Sequence, residues 1–300
     1  MRFLTYVVVL VAGVALGAWQ HEPIRLSKLW ATGQNKGCPF KRSLDSAEAM
    51  RQNAAIKDRI LAASKELEKD PAGFHLWQTP KGRFWVTKGS DWDLPWNLAE
   101  MERNIYGLDG HGVRQGDVVL DCGANVGVFV RQSLERGAKK VIAIEIAPDN
   151  IECLRRNFVN EVQAGRVVIY PKGVWNKEEM LTLNLPENQA AASVVMKPET
   201  AQQGPQVPLT TIDKLVAELK LDRVDFIKMD IEGAEVEALE GARETLKRWR
   251  PRMALAAYHE PADPVAIPNM AHAAVPDYKV ACGPCADAGT FIRPDVLYLY

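Results

Sequence analysis

Two groups of residues in this 300-residue chain have the types and spacing that chemistry needs. The first is Asp121-x-Gly123-x-Asn125-x-Gly127, which follows the apolar run Val118-Val119-Leu120; Glu145 closes a second run, Val141 to Ile144. Small residues at the turn let the backbone approach a ligand closely. A helix starting after Asn125 points its first N–H groups at that ligand. Glu145, at the tip of the neighbouring strand, suits the hydroxyls of a ribose. Together they describe a nucleoside-cofactor site. Gly173, just past a third apolar run, joins Asp121, Gly123, Asn125, Gly127 and Glu145 as a candidate cofactor-binding residue. A dinucleotide fingerprint wants G-x-G-x-x-G, its middle glycine making room for a pyrophosphate. Asn125 stands where that approach would matter. A strand-tip carboxylate repels pyrophosphate but suits the ammonium and sulfonium of S-adenosylmethionine. The spacing from Asp121 to Glu145 fits either cofactor, so a nicotinamide-dependent oxidoreductase remains the alternative, beside a non-catalytic cofactor-binding module.

The second group is Lys228-Met229-Asp230-Ile231-Glu232-Gly233 with Tyr258-His259-Glu260. Asp230 and Glu232 end a fourth apolar run and His259 follows a fifth. Ligands of open α/β sheets bind beyond the carboxyl ends of the strands, so neighbouring strands deliver three titratable groups to one place. Asp230, Glu232 and His259 are the candidate catalytic residues, and by ligand type the same three suit a divalent metal. Each has a structural alternative: Asp230 as a helix cap, Glu232 as compensation of a helix dipole, His259 as a surface histidine. Lys228, inside a strand, needs a partner if buried; period two puts Asp230 or Glu232 on its face.

The elements that must hold these residues alternate in the βαβ manner from Gly116. Strands are expected at 118–121, 141–145, 167–170, 225–230 and 253–257, with helices over 126–136, from Pro148, from Thr211 and over 234–249. Two short strands near 180–185 and 191–196 form an insertion. Two last strands, near 277–281 and 290–299, are closely linked and so pair antiparallel. The expected fold class is α/β, a class I methyltransferase, Rossmann-like seven-stranded sheet with five or six parallel strands and an antiparallel last one. Four segments are expected: a hydrophobic segment at 1–20, a basic linker at 21–44, a helix-and-hairpin cap at 45–112 and the catalytic domain at 113–300. In the cap, Asp45 with Glu48 and Asn97 with Glu100 resemble capping boxes, and a hairpin turns at Pro80-Lys81-Gly82. Trp77, Trp85, Trp92 and Trp96 crowd into it, as packing against the core or as a face for a sugar ring.

The bulk properties are those of a folded globular protein, 47% apolar and 25% charged. A net charge of −1 gives no overall field to draw in nucleic acid. The five cysteines suggest no disulfide framework, and Cys282-Gly-Pro-Cys285 has no second pair to complete a zinc site, so a solvent-side loop is expected there, with a redox or metal role as the alternative. Phe3 to Trp19 carries no charge, which describes either a marginal transmembrane helix or the apolar region of a signal peptide. Arg25, Lys28 and Lys36 follow the stretch and only Arg2 precedes it, which favours an anchor with the remainder of the chain cytosolic.

Asp121-Cys-Gly-Ala-Asn-Val-Gly127, Glu145-Ile-Ala-Pro148, Thr211-Ile-Asp213 and above all Lys228-Met-Asp230-Ile-Glu232-Gly233-Ala-Glu235 resemble the FkbM family of S-adenosylmethionine-dependent methyltransferases. The likeness covers about residues 95–260. It implies O-methylation, with a hydroxyl of a sugar, glycan, glycolipid or similar small molecule as acceptor. Members often carry Glu then His at the end of the fifth strand, where this chain has Tyr258-His259-Glu260. Methyl transfer is an in-line displacement that depends on positioning. An alcohol also needs a base or metal to take its proton, the role expected of Asp230 or His259.

Overall fold

The computed structural model describes residues 21–87, 92–185, 192–196 and 202–300. At its centre lies a seven-stranded sheet. Its strands are β1 (Val118–Cys122), β2 (Lys140–Ile144), β3 (Val167–Tyr170), β4 (Phe226–Met229), β5 (Arg252–Ala256), β6 (Val280–Cys282) and β7 (Val296–Leu299). The order is β6-β7-β5-β4-β1-β2-β3. β1 to β5 are mutually parallel, and β7 runs antiparallel between β5 and β6. This is the expected sheet. Its strands read as continuous apolar runs because both faces are covered. Leu120, Ile142, Ile227 and Leu255 belong to the core on one face, and Val119, Val141, Phe226 and Ala254 to the core on the other. Strand order reverses between β1 and β4, which opens a crevice at their carboxyl ends.

Several local signals act as read. Pro148 is the first residue of the helix Pro148–Asn157. Thr211 caps the helix Ile212–Glu218 by accepting the Lys214 N–H at 3.1 Å. The hairpin pairs Phe74–Thr79 with Gly82–Thr87.

The cap differs from expectation. Residues 21–31, expected in a linker, are helical, with Leu26 fully buried beside Ile292 and Arg25 paired with Asp287. The next helix begins at Phe40, not Asp45, and has no side-chain cap; Glu48 instead pairs with Arg51. It ends at Ala62, and Leu67 lies on a third strand of the hairpin sheet, Lys65–Lys69. The helix expected from Asn97 begins at Asp93, so Asn97 is no cap. In both places the helix starts upstream of the capping pair, with no side-chain cap at its first residue.

The insertion is built from Glu179–Leu185 and Gln202–Thr210; the strand expected near 191–196 is a single bridge between Ser193 and Asn184. The long helix after β4 is two, Glu235–Glu240 and Arg243–Trp249. The break is explained by Asp213, whose carboxylate accepts the N–H groups of Glu244 and Thr245 and caps the second helix. A helix at Asp263–Ala274 was not anticipated, because Pro268 lies inside it.

Cys285 is no solvent-side residue: it is 2% exposed and disulfide-bonded to Cys38, with the Cys282 sulfur 3.4 Å away. The partners are 247 residues apart, a pairing that spacing cannot reveal. The apolar stretch at 3–19 lies outside the described residues. Among the described residues, no helix is long and apolar enough to cross a membrane.

Candidate active site

A cleft runs along the carboxyl ends of β1, β2 and β4 and is roofed by the helix Asp93–Glu102. Gly123, Asn125, Glu145, Gly173, Asp230 and Glu232 all line it.

One half is made of backbone. Gly123 has φ +78°, and a Cβ there would lie 1.9 Å from the Asp230 carbonyl oxygen, so only glycine lets the two loops approach. Asn125 takes φ +49°, a region asparagine tolerates, and its side-chain oxygen accepts the Val126 N–H. Glu145 ties this loop to its own strand. One carboxylate oxygen accepts the Asn125 N–H at 2.7 Å, and the other accepts those of Ile146 and Ala147 at 2.7 and 2.9 Å. Burial pushes the Glu145 carboxyl up, and the three N–H groups pull it back toward the ionised form. A carboxylate offers about four acceptor positions. Three are used, so Glu145 has room for one further donor rather than two. Asn150 also lines the cleft, and its side-chain oxygen is buried without a partner.

Two expected cofactor residues do not reach the cleft. Asp121 is fully buried and stands 3.3 Å from the Lys228 ammonium. The parallel register of β1 and β4 sets Lys228 directly beside Asp121, so the partner lies across the sheet and not along the strand as period two suggested. Lys228 also donates to the Gly123 carbonyl at 2.8 Å. Burial opposes its charge, but Asp121 and Asp230 outweigh that and hold Lys228 above its ordinary value. Burial pushes Asp121 up despite Lys228. This pair locks the glycine loop onto β4. Gly127 sits behind the loop at φ +94°, where a Cβ would strike the Phe158 ring at 2.2 Å.

The other half is side-chain chemistry. Asp230 and His259, delivered by β4 and β5, meet with Glu232. The His259 Nε2 lies 3.5 Å from an oxygen of each acid. His259 Nδ1 faces the fully buried Glu235 at 3.1 Å. Tyr106 and Tyr258 donate their hydroxyls to Asp230 at 2.6 and 3.3 Å. Burial opposes the charge of Asp230, yet Lys228, His259 and the tyrosine hydroxyls hold it below the ordinary carboxylate range. Burial raises Glu232 to about 7. Burial also works against a charge on His259, but Glu235, Asp230 and Glu232 raise it to about 9. Asp230 caps no helix here, and His259 is no surface residue.

The family model described as "Methyltransferase FkbM domain" matches residues 121–283, more than half of the chain. This chain belongs to the FkbM methyltransferase family. It is 29% identical over 182 residues to the 31-O-demethyl-FK506 methyltransferase FkbM of Streptomyces tacrolimicus, across 50% of this chain and 69% of that one. Among solved structures it resembles an FkbM methyltransferase of Methylobacillus flagellatus at 18% identity and a TM-score of 0.48. That match covers 85% of this chain and 60% of that one. A Streptococcus mutans methyltransferase solved with SAH is also similar, at 11% identity and a TM-score of 0.38, over 67% of this chain and 96% of that one. S-adenosylmethionine is the methyl donor expected of an FkbM methyltransferase.

Three residues of this FkbM site were not singled out from sequence. Tyr106 lies in a loop with no motif around it. Glu100 has the spacing of half a capping box; it instead lines the cleft and accepts the Trp96 indole N–H at 2.8 Å. Burial and the charge of Asp230 raise Glu100 to about 8. Glu235 belongs to the motif but carried no role. The four tryptophans divide: Trp77 and Trp85 pack against the cap core, while Trp92 and Trp96 stack on each other at 5.2 Å and line the cleft.

Proposed function

We propose that this FkbM methyltransferase moves the methyl group of S-adenosylmethionine to a hydroxyl of a sugar, glycan, glycolipid or similar polyhydroxylated acceptor. The observation that carries the reading is the presence of stacked indoles and several carboxyl groups along one cleft. The Trp92–Trp96 stack lines the same cleft as Glu100, Asp230 and Glu232. An indole face offers an apolar platform to a sugar ring's C–H face, and carboxyl groups hold its hydroxyls.

The cofactor half fits S-adenosylmethionine. Glu145 has one acceptor position left for a ribose hydroxyl, and the unpartnered Asn150 oxygen suits an N–H donor such as the adenine amino group. When bound, the sulfonium supplies an activated methyl group. The chain's own residues then position and desolvate the acceptor. Asp230 and Glu232 stand beside the cleft to draw off the hydroxyl proton as the oxygen approaches the methyl carbon. Holding the acceptor oxygen in line supplies most of the acceleration, and removing its proton contributes about 10²–10⁴ more.

The test uses methyl-labelled S-adenosylmethionine with a fractionated envelope extract and a panel of free sugars. Label in an alkali-stable methyl ether supports the reading. Label only in alkali-labile esters or on nitrogen refutes the hydroxyl assignment.

A further inference from the structure

His259 is 3% exposed on its side chain, and its two ring nitrogens have different surroundings. Nδ1 faces Glu235, which is itself fixed by accepting the N–H groups of Ile231 at 2.9 Å and Gly233 at 3.1 Å. With Nδ1 donating to that carboxylate, Nε2 offers a lone pair once its own proton has left. This nitrogen has no hydrogen-bond partner, although an Asp230 oxygen and a Glu232 oxygen each lie 3.5 Å away. Three acceptors thus point at one another across a small gap, and only something positive can occupy it.

A proton and a metal ion are the two candidates, and distance separates them. A proton on Nε2 would draw one carboxylate to a charge-assisted contact of roughly 2.7–2.9 Å. Neither acid is that close. Adjacent ligands on an octahedral ion are separated by about 1.4 bond lengths, which is roughly 3.0 Å for Mg²⁺-like bonds and 3.5 Å for Ca²⁺-like bonds. Both observed separations are 3.5 Å, at the long end of that range. An imidazole whose other nitrogen donates to a buried carboxylate is also the usual outer-shell arrangement of a metal-bound histidine. A donor set of two carboxylates and one imidazole suits Mn²⁺ better than Ca²⁺, which prefers oxygen alone.

We propose that Asp230, Glu232 and His259 bind one divalent cation of the Mn²⁺ type, held in register by Glu235 and open to the cleft through its remaining positions. This rests on the methyltransferase reading above and deepens it: the ion would take the acceptor hydroxyl as a ligand and make its proton easier to lose. Glu235 is fully buried and does not line the cleft, so it acts as a positioning residue for His259.

The test is a MnCl2 titration of the full chain after EDTA treatment, with free Mn²⁺ followed by electron paramagnetic resonance. S-adenosylmethionine affinity is measured by calorimetry on the same samples. One Mn²⁺ per chain is expected, with binding weakened at least tenfold in Glu232→Gln and about 10–100-fold in Glu235→Gln, while cofactor affinity stays within twofold. That unchanged affinity also shows that the variants are folded. Absence of saturable Mn²⁺ binding in a sample that still binds S-adenosylmethionine overturns the cation site and leaves the methyltransferase reading standing. Mn²⁺ binding that Glu232→Gln leaves unchanged also overturns it. Mn²⁺ bound as proposed in a chain that ignores S-adenosylmethionine supports the site and defeats the methyltransferase reading.

Discussion

Replacing Glu145 with Gln tests whether this carboxylate builds the cofactor loop or merely faces it. The change is nearly isosteric and removes one acceptor. If the amide oxygen keeps the two N–H groups of Ile146 and Ala147, the new NH2 meets the Asn125 N–H, which now donates to carboxylate oxygen at 2.7 Å. A donor then faces a donor, and a buried donor left unsatisfied costs about 1–3 kcal/mol. The ribose hydroxyl assigned to the remaining acceptor position loses a charge-assisted bond worth about 1.5–3 kcal/mol. At 1.4 kcal/mol per decade, the expected loss of S-adenosylmethionine affinity is roughly 10- to 150-fold. Calorimetry reads that loss, and thermal unfolding without ligand reads the damage to the loop. Affinity within twofold of wild type together with an unchanged Tm would refute both roles of Glu145.

Asp230→Asn should leave S-adenosylmethionine affinity unchanged and slow methyl transfer by about 10²–10⁴-fold; turnover near the wild-type rate would remove Asp230 from the chemistry. Glu100, held at about 8, keeps its proton at neutral pH, so kcat/KM for the acceptor should fall above pH 8 as a second negative charge appears near Asp230. Glu100→Gln, uncharged at every pH, should abolish that fall, and a fall that persists in the variant assigns it elsewhere. The same shift has a sign for folding: the unfolded chain releases this proton near 4.5, so the contribution of Glu100 to stability declines from about pH 4.5 to 8 and then levels off. Cys38→Ser opens a disulfide spanning 247 residues and should lower stability by about 2–4 kcal/mol in denaturant titrations. If reductant shifts the wild-type and Cys38→Ser curves alike, the bond between Cys38 and Cys285 is not the cause.

What was legible in the sequence was local. The glycine turn, Glu145 at its strand tip, the proline-started helix and the Thr211 cap each follow from residue chemistry over a few positions. The parallel core followed from uninterrupted apolar runs, because strands covered on both faces leave that trace. What was not legible depended on register or distant contacts. Lys228 meets Asp121 because of how β4 lies against β1, and nothing along the strand announces that offset. Glu100 lines the cleft from a helix that begins at Asp93, four residues before the capping pair at Asn97, and its partner there is the Trp96 indole and not a backbone N–H. The reach of Cys38 to Cys285 has no local signature at all.

Under the proposed function, the cleft between the glycine loop and the Asp230–Glu232–His259 cluster transfers a methyl group from sulfur to a hydroxyl oxygen. The direct measurement is a time course of S-adenosylhomocysteine release coupled to mass analysis of the acceptor, using S-adenosylmethionine with a deuterated methyl group. One equivalent of S-adenosylhomocysteine is expected for each deuterated methyl ether formed, with loss of both products in Asp230→Asn. A protein that binds S-adenosylmethionine but yields neither product with any hydroxylated acceptor, or that places the methyl group on nitrogen or carbon, would contradict it.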